Sequence, residues 1–333
     1  MAKLSVKSSQ ELSKVKSISK HPTKSNAFEH IIFIFGPTGV GKTELLLDLD
    51  PQRFSVINAD SIQVYQYLDI GSAKASKAVR SAIEHYLIDI RDPWEQFSVG
   101  DFIEQADQAC HVIHEQGKIP VISGGTAYYF KHFLYGLSEA PPSDEAIRKA
   151  VAQRIETEGR EWAYQYLQRI DPVSANRIHP SDIYRVSRAL EVWETSGRPL
   201  SSFTLPTTAR NGMKPLVIGL IRESEVLRRR INLRVQAMFD EGLVQEIRSL
   251  LKMGAQSWWP GLQGIGYREF FQAMEHGEWS HSIIADQIER NSRFYAKRQM
   301  TFFKSFTDAK WFDPEKKSSI FSEIERYLQC GNT

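Results

Sequence analysis

Eight consecutive residues, Gly36-Pro37-Thr38-Gly39-Val40-Gly41-Lys42-Thr43, have the types and spacing needed to hold a chain of phosphates. Glycines let backbone N–H groups turn inward on phosphate oxygens without a Cβ in the way. Lys42 adds a point charge, and Thr43 a hydroxyl suited to Mg²⁺, at the start of a helix whose dipole favours anions. A second reactive group follows at Asp60, within Asn58-Ala59-Asp60-Ser61-Ile62-Gln63-Val64-Tyr65. A carboxylate near bound phosphates can ligate Mg²⁺ or accept a proton from a second substrate; a capping turn is the plainer alternative.

These groups need a scaffold, and the surrounding pattern supplies one. Ile31-Ile32-Phe33-Ile34-Phe35 reads as a strand leading into the P-loop, with further strands at 54–58, 85–90, 119–123 and 216–221. Helical patterns alternate with them, Val99–Glu115 being the longest in the first half. The alternation predicts an α/β fold, P-loop NTPase-like, with a parallel sheet flanked by helices. Ligands of such sheets lie beyond the carboxyl ends of the strands, where the P-loop, Asp60 and Gly124-Gly125-Thr126 would meet. The strand signal disappears between 140 and 210, where 143–158, 160–169 and 181–196 read as helices. The expected organisation is therefore a leader over 1–29, a core over 30–139 and 211–315, a helical insertion domain over 140–210, and a C-terminal tail over 316–333. Helices are expected at 225–239, 243–253, 267–276 and 283–305.

Composition narrows the class. The 333 residues are 41% hydrophobic and 25% charged, as in a soluble globular protein, and the net charge of +2 announces no nucleic-acid binder by itself. Two cysteines, Cys110 and Cys330, with no CxxC spacing, argue for a reducing compartment and against a disulfide framework. No apolar run has the length of a membrane span. The Lys- and Ser-rich leader lacks the apolar segment of a secretory signal; a cytoplasmic protein is expected, with organelle targeting by that leader the alternative.

The chain resembles the tRNA dimethylallyltransferases, also called tRNA isopentenyltransferases. The resemblance is carried by GPTGVGKT (36–43), NADSIQVYQYLDIGSAK (58–74), HYLIDIRDPWEQFSVGDF (85–102), ISGGTAYYFKHFLYGL (122–137), DIYRVSRALEVWETSGRPLS (182–201), GIGYRE (264–269) and YAKRQMTFFKSF (295–306), in that order. It implies transfer of a dimethylallyl group from dimethylallyl diphosphate to N6 of the adenine 3′ of a tRNA anticodon. The P-loop would hold the diphosphate, with Mg²⁺ and Lys42 stabilising the leaving group. Asp60 would take the amine proton, Thr43 would act at the phosphates and the metal, and Arg234 would be the further cation over the diphosphate.

The same resemblance places the anticodon stem-loop against specific residues. Asp60, Ser61, Ile62 and Gln63 would meet the flipped adenine, with Thr126 and Arg148 nearby. Tyr184, Arg185, Val186, Ser187 and Arg188 would line the RNA path, as would Gln263, Gly264, Ile265, Gly266, Tyr267 and Arg268. Lys297, Arg298, Gln299, Met300, Thr301, Phe302, Phe303 and Lys304 would complete it, cations binding phosphates and the phenylalanines able instead to pack into the core. A monomer is expected. The rival readings are an adenylate isopentenyltransferase acting on free AMP, ADP or ATP, a nucleoside or small-molecule kinase, and an RNA-binding P-loop module without chemistry.

Overall fold

The structure, a computed structural model, describes residues 30–277 and 279–330; the leader expected over 1–29 lies outside the described residues. Strand β1 (Ile32–Phe35) is buried at all four positions and runs into the P-loop, which ends in a short helix α1 (Lys42–Leu46). Next come β2 (Phe54–Asn58), α2 (Lys77–Ala82), β3 (His85–Tyr86), α3 (Val99–Glu115), β4 (Ile119–Gly124) and α4 (Ala127–Tyr135). Four helices follow: α5 (Glu145–Glu158), α6 (Arg160–Ile170), α7 (Pro172–Ala175) and α8 (Ile183–Ser196). The chain then returns to the sheet as β5 (Leu216–Leu220), continues through α9 (Ser224–Asp240), α10 (Leu243–Lys252), α11 (Arg268–Glu275) and α12 (His281–Phe303), and closes with β6 (Lys310–Phe312) and α13 (Lys317–Cys330).

All six strands are parallel, in the order β3-β2-β4-β1-β5-β6. Alternate side chains of β1 serve opposite faces, as a pleated strand requires. Phe33 and Phe35 pack with Phe130, Phe133 and Phe303 on one side, and Ile32 and Ile34 with Leu45, Ile320 and Ile324 on the other. Such two-sided burial is what makes parallel strands read as unbroken apolar runs. Helices α5 to α8 build a core of their own from Val151, Ala163, Leu167, Val186 and Leu190. Local signals set their ends: Asp144 and Asp182 accept the backbone N–H groups of Ile147 and Arg185, and Gly197 stops α8 at φ 65°.

Two expectations change. The strand expected over 85–90 pairs only at His85 and Tyr86, because Leu87 and Asp89 adopt left-handed φ of 63° and 57° that end the extension. Residues 316–333, expected to form a tail, contain α13, whose Ile320, Ile324 and Leu328 are buried against the sheet. Tyr327 on the same helix accepts the Ile31 N–H at 3.1 Å and donates to Lys214 O at 2.9 Å.

Candidate active site

The P-loop leaves β1 through left-handed turns at Gly39 (φ 77°) and Gly41 (φ 115°), which strain any residue with a Cβ. Cations brace its carbonyl side. Lys42 Nζ donates to Gly36 O at 2.9 Å and Pro37 O at 3.1 Å, Arg230 Nε to Gly39 O at 2.8 Å, and Arg222 Nε to Val40 O at 2.8 Å. Arg230 and Arg222 are themselves paired with Glu44 and Glu315, so their charges are partly spent. Arg234 is different: its guanidinium donates to Thr38 Oγ1 at 3.0 Å, and among the described residues no carboxylate lies within salt-bridge distance of it. Burial holds the Arg234 guanidinium below its ordinary pKa, with the Asp60 charge opposing. Lys42 is lowered to about 8, by burial first and then by the Arg234 charge. Two uncompensated cations in a poorly solvated loop make a site that gains by accepting an anion.

Asp60 sits where β2 ends, beside the end of β4. The approach is so close that a Cβ on Gly124 would lie 2.1 Å from Ala59 O. Asp60 Oδ1 accepts the Ile62 N–H at 3.0 Å and the Gln63 N–H at 3.4 Å, so the capping reading is correct for one oxygen. Oδ2 makes no hydrogen bond among the described residues and remains to act on a ligand. Ser61 N–H donates to Thr126 Oγ1 at 3.0 Å, and Thr126 N–H to Ala59 O at 3.1 Å, which ties the Asp60 turn to the start of α4. Gln63 Nε2 is committed to Ser72 O and Ala73 O at 3.2 and 3.3 Å.

Helix α12 closes the site with one face. Ile288, Ser292, Tyr295 and Gln299 recur at helical spacing and line the same cavity as Asp60 and Lys42. Gln299 Nε2 donates to Gly125 O at 2.7 Å, and its Oε1 accepts the Thr38 N–H at 2.9 Å. Tyr295 was not among the sequence candidates. Burial and then the Asp60 charge push its hydroxyl up to about 12, so it stays a proton donor at neutral pH. Its spacing of four from Gln299 was the available signal.

The loop after Asp60 is held from behind. The Glu246 carboxylate accepts the N–H groups of Asp69, Ile70 and Gly71 at 3.0, 2.8 and 3.1 Å, and the Tyr267 hydroxyl at 2.7 Å. Lys74, its side chain only 1% exposed, bonds Asp69 and Asp89 at 2.6 Å each and Tyr65 O at 2.8 Å. Neither residue lines the cavity; both determine where its wall stands.

The cavity measures about 1090 Å³. It gathers Thr38, Gly39, Gly41, Lys42 and Thr43 of the P-loop, Arg234, and Asp60 to Gln63. Gln263, Gly264, Ile265, Arg268, Arg298 and Gln299 line it as well, while Gly36, Pro37 and Val40 are buried behind the loop. Apolar side chains of α9, Ile231, Leu233, Val235 and Met238, lie alongside, so an anion-seeking end adjoins an apolar one.

Other candidates for RNA contact lie elsewhere. Arg148, Tyr184 and Arg185 are exposed on α5 and α8, Tyr184 by 80%; Arg185 pairs with Asp182 at 3.4 Å. Ser187 and Arg188 bond Glu191 at 3.4 Å each. Tyr128 of α4, half exposed and within electrostatic reach of Tyr184, Arg185 and Arg188, joins this aromatic and basic face and was missed. Lys297 and Thr301 are exposed on α12 and Lys304 just past its end, with Met300 and Phe302 half-buried beside them.

Several candidates are corrected. Val186 and Gly266 are buried, Val186 within the insertion's own core. Tyr267 is 0% exposed with its hydroxyl spent on Glu246 and Ser72, so it supports the loop and cannot meet a ligand. Phe303 is also 0% exposed and stacks on Phe35 with centroids 4.3 Å apart. Gln299, 4% exposed, is a brace between two loops. A motif read as a string gives all its members one role, whereas the helix separates them by face.

Among the described residues no cluster of three His, Cys, Asp or Glu side chains could hold a metal ion, and no helix is long and apolar enough to cross a membrane. The exposed Thr43 hydroxyl is a hard donor within the phosphate loop. It fits a Mg²⁺ that takes its remaining ligands from phosphate and water, and not a metal held by protein alone.

A sequence model of IPP transferases matches residues 63–306. The tRNA dimethylallyltransferase of Borrelia turicatae is 41% identical over 285 residues, covering 86% of this chain and 94% of that protein. The full-length tRNA isopentenylpyrophosphate transferase of Bacillus halodurans superposes with a TM-score of 0.63 at 34% identity, over 92% of this chain and all of that one. A eukaryotic dimethylallyltransferase described as acting on tRNA superposes with a TM-score of 0.70 at 27% identity, covering 86% and 74% of the two chains.

Proposed function

The chain belongs to the IPP transferase family, and from that premise we propose that it moves a dimethylallyl group from dimethylallyl diphosphate to N6 of the adenine 3′ of the anticodon in tRNA, releasing diphosphate. The observation that carries the reading is the single cavity in which a cationic P-loop, an apolar wall from α9 and the free oxygen of Asp60 adjoin one another. A donor with an anionic head and an apolar tail matches the first two. A nucleophile that must lose a proton needs the third. A kinase would use the P-loop but has no use for an apolar wall beside the transferred phosphates.

The diphosphate lies in the P-loop, where Lys42 and Arg234 offset its charge. The lone pair of the adenine N6 forms a bond to C1 of the allyl group as the C1–O bond breaks. The bonding pair leaves with the diphosphate oxygen, and the amine proton passes to Asp60 Oδ2. Lys42, Arg234 and the loop amides stabilise the charge that grows on the leaving group, and they stabilise it most in the transition state. Asp60 is positioned before the substrate arrives, because its other oxygen is fixed by the Ile62 and Gln63 amides. Mg²⁺, held by the Thr43 hydroxyl, would supply further Lewis-acid stabilisation of the leaving diphosphate.

Reaching a base in an anticodon loop requires extruding it, at a cost of a few kcal/mol. The exposed basic and aromatic face of α4 and α8, and the cations of α12, are suited to hold the rest of the RNA while that happens. A monomer would suffice, since one chain supplies every group named.

The test is purified protein with Mg²⁺ and labelled dimethylallyl diphosphate, offered unmodified tRNA, AMP or ATP. Label is expected on tRNA alone. Label on AMP or ATP in preference to tRNA would sink the reading in favour of an adenylate isopentenyltransferase.

A further inference from the structure

Trp258 stands at the cavity mouth with 71% of its surface exposed, although its neighbour Trp259 is packed edge-on against Trp94 with centroids 5.1 Å apart. A lone exposed apolar residue needs no explanation. This one sits on a backbone that is fixed on both sides. Gly261 N–H donates to Pro93 O at 3.0 Å, and a Cβ on Gly261 would meet Leu68 at 2.9 Å and Tyr65 at 3.1 Å. Gln263 Nε2 folds back to Ser257 O and Trp259 O. The loop bearing Trp258 is thus docked on the segment that follows Asp60, and the backbone that carries the indole is held at a set place relative to the reacting carboxylate.

We infer that Trp258 is a stacking platform for an unpaired nucleobase of the substrate RNA loop, a neighbour of the adenine that enters the cavity. The inference rests on the reaction proposed above. An uncharged indole adds nothing to phosphate attraction, which Arg268 and Arg298 at the same mouth already provide. What it offers is a large rigid π-face, and every base has one. Extruding one base from a loop leaves its neighbours without a stacking partner, so a fixed ring at the mouth restores part of the lost stacking. Trp258 lines the cavity that takes the adenine, and Arg268 and Arg298 line the same cavity, where they can meet the connecting phosphates.

The experiment compares Trp258→Ala, Trp258→Phe and Trp258→Leu by steady-state kinetics with an anticodon stem-loop RNA and with dimethylallyl diphosphate. Trp258→Ala is expected to raise KM for the RNA about tenfold, the size of one base–aromatic stack. Trp258→Phe should stay within about threefold of the parent, and Trp258→Leu should resemble Trp258→Ala, because leucine is apolar but cannot stack. A second series uses RNAs made abasic at one loop position at a time, the reacting adenine kept. At one position the parent and Trp258→Ala should become equal in affinity. An unchanged KM for RNA in Trp258→Ala, a leucine variant as good as phenylalanine, or a penalty that persists on every abasic RNA would each overturn the inference. So would a rise confined to the KM for the diphosphate, which would make Trp258 part of the donor pocket. Failure of the parent protein to prenylate any RNA would instead remove the reaction on which the inference stands.

Discussion

Gln299 accepts the Thr38 N–H at 2.9 Å and donates to Gly125 O at 2.7 Å, so one side chain of α12 joins the phosphate loop to the turn behind Asp60. The carboxamide is nearly inaccessible, and a Cβ on Gly125 would lie 2.5 Å from its nitrogen. The phosphate loop and the Asp60 turn are therefore positioned by the same helix, whose outer face presents Lys297.

Removing that joint should loosen both sites together. Gln299→Leu leaves a buried N–H and a buried carbonyl unpaired, each costing about 1 to 3 kcal/mol. A loss of alignment near 1 Å costs on the order of 100-fold in rate. The expected result is a drop in kcat/KM of that order for both substrates with a lower Tm. A variant that lost only RNA affinity would assign Gln299 to RNA contact.

Asp60→Ala should abolish transfer while leaving diphosphate binding largely intact, because Asp60 supports the P-loop only through space. Asp60→Asn keeps the amide contacts of Oδ1 but accepts no proton, and should lower kcat about 100- to 10,000-fold. Single-turnover transfer measured beside calorimetric binding of diphosphate checks both. Retained transfer in Asp60→Asn would remove it as the base.

Lys42, lowered to about 8, gives donor binding a pH dependence of definite sign. Below pH 8 the free protein carries the ammonium and meets the diphosphate with it. As pH rises through 8 the free protein loses that proton, and a bound diphosphate must recover it. Affinity for diphosphate should fall above pH 8, and binding near pH 8 to 9 should take up protons, seen as a buffer-dependent heat in calorimetry. In the ligand-free protein the unfolded chain holds this proton up to its ordinary value of 10.5. The unfolded state therefore binds more protons between pH 8 and 10.5, and this residue makes stability rise with pH across that window. Lys42→Met should flatten both effects.

The parts legible in the sequence are those with local causes. The P-loop announces itself because its glycines, Lys42 and Thr43 act within one turn of chain, and β1 and β2 because two-sided burial demands unbroken apolar runs. Asp60 could be placed because strand ends of parallel sheets converge. Long-range facts were not legible. Nothing in Leu87-Ile88-Asp89 warns of left-handed backbone, because the cause is distant: Asp89 turns to meet Lys74 and Arg80. Tyr267 and Phe303 lie in motifs whose other members face the cavity or solvent, and only the packing of Glu246 and Phe35 shows that they do not; Gln299 reaches the cavity, but its carboxamide is spent on Thr38 and Gly125. Ile320, Ile324 and Leu328 carry helical spacing, but one stripe does not say which surface it covers.

The Lys74 cluster tests whether that wall is held by ion pairs. Its ammonium is buried between Asp69 and Asp89, and Asp89 also takes Arg80 at 2.6 Å. Removing one partner of a buried pair costs about 3 to 5 kcal/mol; Asp69 is 60% exposed and regains water, so Lys74→Met should cost nearer 2 to 3 kcal/mol. The loop from Asp69 to Lys74 would also lose its tie to Tyr65 O, while Glu246 continues to hold its other end. The expected outcome is a two-state denaturation midpoint shifted to lower urea with an unchanged m-value, and a kcat that falls more than the KM for diphosphate rises. Lys74→Arg, which keeps the charge but cannot fit three acceptors around one nitrogen, should recover stability only in part. Stability equal to the parent in Lys74→Met would show that Glu246 alone fixes the wall.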